Sequence, residues 1–206
     1  MLRYFFSNGK ANARGPAIFI DRDGVINCRR PGDYVLEFSQ FVFVPGIRAA
    51  LKELTSFRLP MIIISNQAAV GKRLLEPAGL EEITARMREA LLQDGTALTA
   101  AYYCPHKTDE NCVCRKPKPE LLYKAASDFN IDLSRSVFIG DSETDVQAAR
   151  AAGCAPILFG TGLRERSDSG EWMTDLPVAL MARDLFDVVA KSLQAGAPPH
   201  GESASP

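Results

Sequence analysis

Two aspartates, Asp21 and Asp23, stand two residues apart, directly after the apolar run "AIFI" and directly before Gly24. Side chains at that spacing face the same way in a strand, and a glycine lets the chain turn so that a carboxylate and the next backbone carbonyl both meet one ion. Neighbouring carboxylates repel each other, and hard oxygen ligands select magnesium. One of the pair can attack phosphorus while the other handles the proton. Taken alone, the same pattern is equally an ordinary strand-to-loop turn with solvated carboxylates.

A second acidic group, "GDSETD", again follows an apolar run. Asp141 there would complete a magnesium site with Asp21 and the region of Asp23, and Asp145, one helical turn on, can orient it. Asp141 or Ser142 also suits a helix N-cap, a use that does not exclude metal binding. Ser65, at the end of "IIIS", can donate a hydrogen bond to a phosphoryl oxygen. In "CRKPKP", Arg115 offers a forked donor and Lys116 a compact charge, both suited to phosphate; a bare "RKPK" is otherwise a solvated basic loop.

What fixes that loop is the run before it. Cys104-x-His106-x5-Cys112-x-Cys114 holds three of the five cysteines and one of the two histidines. Three thiolates and an imidazole make a closed tetrahedral set, which points to structural zinc, although iron can occupy the same ligands. The tight C-x-H and C-x-C spacings differ from the knuckles of nucleic-acid fingers. With 24 basic against 25 acidic residues and a net charge of -1, no positive field draws in a polyanion. A small phosphorylated molecule is therefore the expected partner, and nucleic acid is not.

The chain of 206 residues, 46% hydrophobic, is long enough for one domain with a buried core. Its opening "MLRYFFSNGKANARGP" is too short in apolar residues for a signal segment, and no later run approaches the roughly 20 residues of a membrane span. A cytoplasmic protein without disulfides is expected. Short apolar runs at "AIFI", "PMIIIS", "SVFIGD" and "APILFG" read as buried strands. Between them, Ile47 to Leu54, Leu80 to Leu92, Glu120 to Phe129 and Thr144 to Ala152 carry helical periodicity, the last closed by Gly153. This alternation predicts a doubly wound, mainly parallel α/β sheet with ligands beyond the carboxyl ends of its strands, where Asp21, Ser65 and Asp141 converge. The expected domain covers residues 15–194, with a Gly-, Pro- and Ser-rich disordered tail over 195–206 in which His200 is idle.

The ordered motifs "FIDRDGVIN", "IIISNQ", "CRKPKPELL" and "FIGDSETD" resemble those of the haloacid dehalogenase superfamily of phosphatases. Within it, "DRDGVIN" and the zinc-bearing insert are similar to the branch that holds heptose 1,7-bisphosphate 7-phosphatases and histidinol-phosphate phosphatases. The resemblance implies an aspartyl-phosphate mechanism: Asp21 as nucleophile, Asp23 as acid and then base, and magnesium on Asp21, the Asp23 carbonyl and Asp141. It further implies Ser65 and Lys116 on the equatorial oxygens, and Arg115 on the substrate. Asn66, Gln67 and the loop Arg29 to Tyr34, with Arg30, would line the rest of the site. A minimal cap, with the zinc loop as a wall, and a monomer are implied as well.

For the substrate, "DYVLEFSQFVFVPGI", "AYYCPH" and "NQAAVGKR" look more like the heptose enzymes, whereas the five-residue gap from His106 to Cys112 is closer to the histidinol enzymes. Ser142 stands where heptose phosphatases carry a substrate-binding lysine. Arg29, Arg30, Lys72 and Arg73 either meet a distal phosphate or are ordinary solvated charges. The expectation is a sugar bisphosphate, heptose 1,7-bisphosphate first and histidinol phosphate second. Outside this class stand a zinc nucleic-acid module and a phospho-acceptor signalling domain.

Overall fold

A computed structural model of the chain describes residues 1–6, 14–30, 33–160 and 182–195. Their strands form one six-stranded sheet: β1 (Leu2–Phe5), β2 (Ile18–Ile20), β3 (Met61–Asn66), β4 (Ala100–Cys104), β5 (Val137–Gly140) and β6 (Ala155–Leu158), in the spatial order β1-β4-β3-β2-β5-β6. All neighbours are parallel except β1, which runs antiparallel to β4.

The continuous apolar runs arise because the central strands are covered on both faces. Successive side chains alternate between two cores. Ile18, Ile20, Ile63, Tyr103, Val137 and Ile139 enter one, packed under α1 (Ile47–Leu54), α3 (Pro77–Gln93) and α6 (Leu185–Ala195). Phe19, Ile62, Ile64, Tyr102 and Phe138 enter the other, under α4 (Glu120–Phe129) and α5 (Glu143–Ala152). Each helix contributes a stripe at its own period, such as Leu80, Ile83, Met87 and Leu91 of α3, which begins with Pro77 in its first turn where the missing N–H costs nothing.

The four expected strands and four expected helices are present, with α3 starting three residues earlier than its apolar pattern. Four strands and helices were not anticipated: β1, β4, α6 and the short α2 (Ala68–Gly71). β1 is an edge strand with alternating burial, and its partner lies about a hundred residues away in sequence, Leu2 opposite Tyr103. The folded unit therefore extends upstream of residue 15. The expected tail, apart from Ala195 at the end of α6, lies outside the described residues, as does His200.

This strand order decides where chemistry can sit. The chain steps outward from β2 through β3 to β4, then returns to the other side of β2 with β5. The direction reverses beside β2, and in such sheets the carboxyl ends of the strands at that point are where ligands bind.

Candidate active site and metal centres

Asp21 is the first residue past β2, tied to the next strand by its N–H donating to Ile139 O at 2.8 Å. It is 5% exposed. Its Oδ1 accepts from the Arg22 amide at 2.7 Å and lies 2.9 Å from Lys116 Nζ. The turn then closes through Gly24, whose φ of 94° lies in the left-handed region. A Cβ at Gly24 would fall 1.8 Å from Asp141 Oδ2, so only glycine lets the two loops approach.

Asp141 follows β5, and Asp145 lies in the first turn of α5. Ser142 caps that helix: its hydroxyl donates to Asp145 Oδ2 at 2.6 Å and its N–H does so at 3.1 Å. The serine hydroxyl is thus committed to Asp145. Carboxylate oxygens of Asp21, Asp141 and Asp145 all lie within 4.8 Å of one another. Burial pushes Asp21 up to about 6, opposed by Lys116 and abetted by Asp145 and Asp23. Burial and the Asp21 charge push Asp141 up to about 7, against the nearby Arg29, whose Nη2 donates to Asp141 Oδ1 at 2.7 Å. Carboxyls crowded in this way fit a small divalent cation with oxygen ligands. Both oxygens of Asp145 have protein partners, Lys116 Nζ at 2.5 Å from Oδ1 and Ser142 donating to Oδ2, so Asp145 braces the carboxylates of Asp21 and Asp141.

Asp23 points elsewhere. Arg22 grips it with Nε and Nη2 to Oδ1 at 3.2 and 3.0 Å and Nη2 to Oδ2 at 3.0 Å. Asn27 Nδ2 donates to Oδ1 at 3.0 Å and Gln67 Nε2 to Oδ2 at 2.6 Å. Burial alone would raise its carboxyl, but the Arg22 charge and these donors hold it below the usual carboxylate range. Asp23 therefore rests as a carboxylate.

At the end of β3, Ser65 is buried and accepts from Gln67 Nε2 at 3.2 Å. Asn66 exchanges two hydrogen bonds with the backbone of Lys116: Nδ2 to O at 3.2 Å and Lys116 N to Oδ1 at 3.1 Å. The Asn66 and Gln67 amides, expected to meet substrate, thus have protein partners. Lys116 Nζ, 3% exposed, has Asp21, Asp145 and Ile64 O (3.0 Å) around it. Burial would lower its pKa, yet Asp145 and Asp21 outweigh burial and keep it charged. Lys116 Nζ donates to Ile64 O and stands between two carboxylates as an ion pair, so the charge itself is what a phosphate at Asp21 would feel.

The zinc-type ligands gather as expected. Cys104 Sγ lies 3.5 Å from both His106 Nδ1 and Cys112 Sγ, and Cys114 Sγ lies 3.3 Å from His106 Nδ1 and 3.9 Å from Cys112 Sγ. Tetrahedral zinc with bonds of about 2.0–2.3 Å separates its ligand atoms by about 3.5–3.8 Å. The four residues fit that ion with no position left open. Because Cys104 ends β4, the loop starts at the same sheet edge as Asp21, and Gly71 N donates to Pro105 O at 2.8 Å, docking the loop on α2. Arg115, at the loop's exit, donates from Nη1 to His106 O at 3.3 Å.

Of the remaining expected contacts, Arg29 reaches Asp141, whereas Arg30 pairs with Asp33 at 2.8 Å, both side chains exposed. Lys72 Nζ stacks over the Tyr34 ring at 5.2 Å. Arg22 and Asn27 were not anticipated as site residues. The available signal was an arginine between two carboxylates immediately after a buried strand.

A carboxylate cluster at the carboxyl edge of a mainly parallel sheet, with a buried lysine set against the leading aspartate, defines the haloacid-dehalogenase-like class of hydrolases. A family model described as HAD-hydrolase-like matches residues 113–188. The D-glycero-β-D-manno-heptose-1,7-bisphosphate 7-phosphatase of Yersinia pestis is 34% identical, over 82% of this chain and 96% of its own. That of Pseudomonas putida is 36% identical, over 82% and 98%. A crystal structure of the D,D-heptose 1,7-bisphosphate phosphatase of B. bronchiseptica, complexed with magnesium and phosphate, superposes with a TM-score of 0.74 at 33% identity, covering 88% of this chain and 99% of that one. The chain belongs to the same family as these relatives and is a phosphomonoester hydrolase.

Proposed function

We propose that the protein removes the 7-phosphate of D-glycero-β-D-manno-heptose 1,7-bisphosphate. The observation that carries this reading is the run of relatives named for that reaction, 34–36% identical over nearly their whole length. Asp21 attacks phosphorus and an O–P bond forms. The P–O bond to the sugar breaks, and its electron pair leaves on the alcohol oxygen, which takes a proton from Asp23. Water then attacks the aspartyl-phosphate and gives a proton to Asp23, and the bond to Asp21 breaks to return a carboxylate and free phosphate.

Asp23 rests as a carboxylate, so it must take up its first proton as the negatively charged substrate arrives, a shift that a nearby like charge favours. The Lys116 charge and the Ser65 hydroxyl stabilise the equatorial oxygens, and Arg115 takes the remote part of the substrate. Magnesium, held by Asp21, the Asp23 carbonyl and Asp141, supplies the positive charge that lets an anionic nucleophile approach an anionic ester. Zinc on Cys104, His106, Cys112 and Cys114 is structural and fixes where Arg115 and Lys116 point. A cytoplasmic monomer belongs to the same reading, and the five free cysteines fit that location.

The test compares kcat/KM for the two anomers of heptose 1,7-bisphosphate and for histidinol phosphate. A preference for the β anomer by about tenfold or more supports the proposal. A preference for histidinol phosphate overturns it.

A further inference from the structure

The one arginine deep in the site is neither a metal ligand nor a residue with a role so far. Arg22 is 1% exposed, the bulkiest fully buried side chain of the described residues, and its Nη1 finds no hydrogen-bond partner. Burying a guanidinium in this way is a poor route to stability, because an apolar side chain of similar volume would fill the space without desolvating a charge. What Arg22 does accomplish is geometric. Its planar fork engages both oxygens of Asp23, and a fork of that kind fixes the plane of a carboxylate where a single donor does not.

The fork is itself held. The guanidinium carbon lies 6.0 Å from the centre of the Tyr103 ring. The Tyr103 hydroxyl lies 3.1 Å from the Thr84 hydroxyl, and Thr84 is anchored by donating to Leu80 O at 2.7 Å within α3. From the other side, Gln67 and Asn27 complete the grip. A proton donor must meet the leaving oxygen within hydrogen-bond reach, and a displacement of about 1 Å can cost about a hundredfold in rate.

We propose that Arg22 is the positioning residue for the acid–base carboxylate of Asp23, holding it at the angle from which it serves the leaving alcohol. The inference rests on the proton-transfer role given to Asp23 above. Its signature is dependence on the leaving group. A sugar alkoxide needs a proton as it departs, whereas p-nitrophenolate departs without one, and kcat/KM reports the transfer to Asp21 for both.

The experiment measures kcat/KM of the full chain and of R22M, R22K and D23A on a sugar phosphate and on p-nitrophenyl phosphate, with thermal melting to establish folding. The expected result is a loss of about a hundredfold on the sugar phosphate for R22M, a loss under about tenfold on p-nitrophenyl phosphate, and the same bias in D23A. R22K, which keeps the charge but loses the fork, is expected to show the bias too. It decides the matter should R22M fail to fold. Equal losses on both substrates in folded R22M or R22K, with the bias intact in D23A, overturn the role of Arg22 alone. A D23A variant without the bias overturns the acid role of Asp23 and this inference with it.

Discussion

Asn66 and Lys116, fifty residues apart, are joined by two reciprocal hydrogen bonds between the Asn66 side-chain amide and the Lys116 backbone. The end of β3 thereby clasps the exit of the cysteine loop, and Lys116 Nζ is delivered to Asp21 at 2.9 Å. The motif "SNQ" and the motif "CRKPKP" act as one structure.

Replacing Asn66 by leucine removes both bonds and leaves every ionisable group in place. The expected outcome is a fall in kcat/KM of about tenfold or more with zinc content unchanged. Steady-state kinetics together with elemental analysis of the same preparation check this. Unaltered turnover would show that Lys116 is held by its ion pairs alone.

Gly24→Ala introduces a methyl group against Asp141 Oδ2 at a positive φ. Stability is expected to drop by about 1 kcal/mol or more, from the backbone conformation alone. The magnesium concentration for half-maximal activity should also rise about tenfold, because Asp141 must move to relieve the clash. A magnesium titration of activity and a denaturant melt separate the two effects.

The crowded carboxyls give the magnesium-free protein a pH dependence of definite sign. In the folded chain Asp21 and Asp141 keep protons up to about 6 and about 7, whereas in the unfolded chain aspartates lose them near about 3.9. Between those values the unfolded state binds fewer protons, so the contribution of these groups to stability is present at low pH and is lost as pH rises through about 7. The melting temperature in magnesium-free buffer should therefore fall more steeply between about pH 5 and 8 in the native chain than in D141N, and added magnesium should raise it most at the upper end. Identical slopes in the two proteins would contradict the crowding.

Removing zinc tests the loop. About one zinc per chain is expected by elemental analysis. Chelation should raise amide exchange over residues 104–116 and depress activity, while β2 and β5, buried on both faces, stay protected. Fully active protein prepared without zinc would remove the structural role assigned to those four ligands.

Much of the architecture was legible because its signals are local. Strands such as Ile18–Ile20 and Val137–Gly140 read as unbroken apolar runs that stop where Asp21 and Asp141 begin. The tight spacing of Cys104, His106, Cys112 and Cys114 makes their convergence almost a property of one loop. β1 and β4 escaped notice because an edge strand of four residues with alternating burial carries little pattern, and "AAYYC" buries two tyrosines whose hydroxyls need distant partners. Tyr102 finds Asp128 at 2.8 Å and Tyr103 finds Thr84. Those pairings exist only once helices cover both faces.

By itself, then, the sequence determined which chemical groups stand at the strand ends: two carboxylates after β2, a hydroxyl in β3, a carboxylate after β5, and a basic pair beyond the cysteine loop. Side-chain type and short-range spacing suffice for that. Only the tertiary structure decided what each group faces. Asp23 is gripped by Arg22, Asn27 and Gln67 and turned from the carboxylate cluster, Asn66 and Gln67 serve protein partners, and Ser142 is committed to Asp145. A hydrogen bond is made or lost within a few tenths of an ångström. The distances between groups 44 or 50 residues apart are fixed by strand order and helix packing, not by the local pattern of residues.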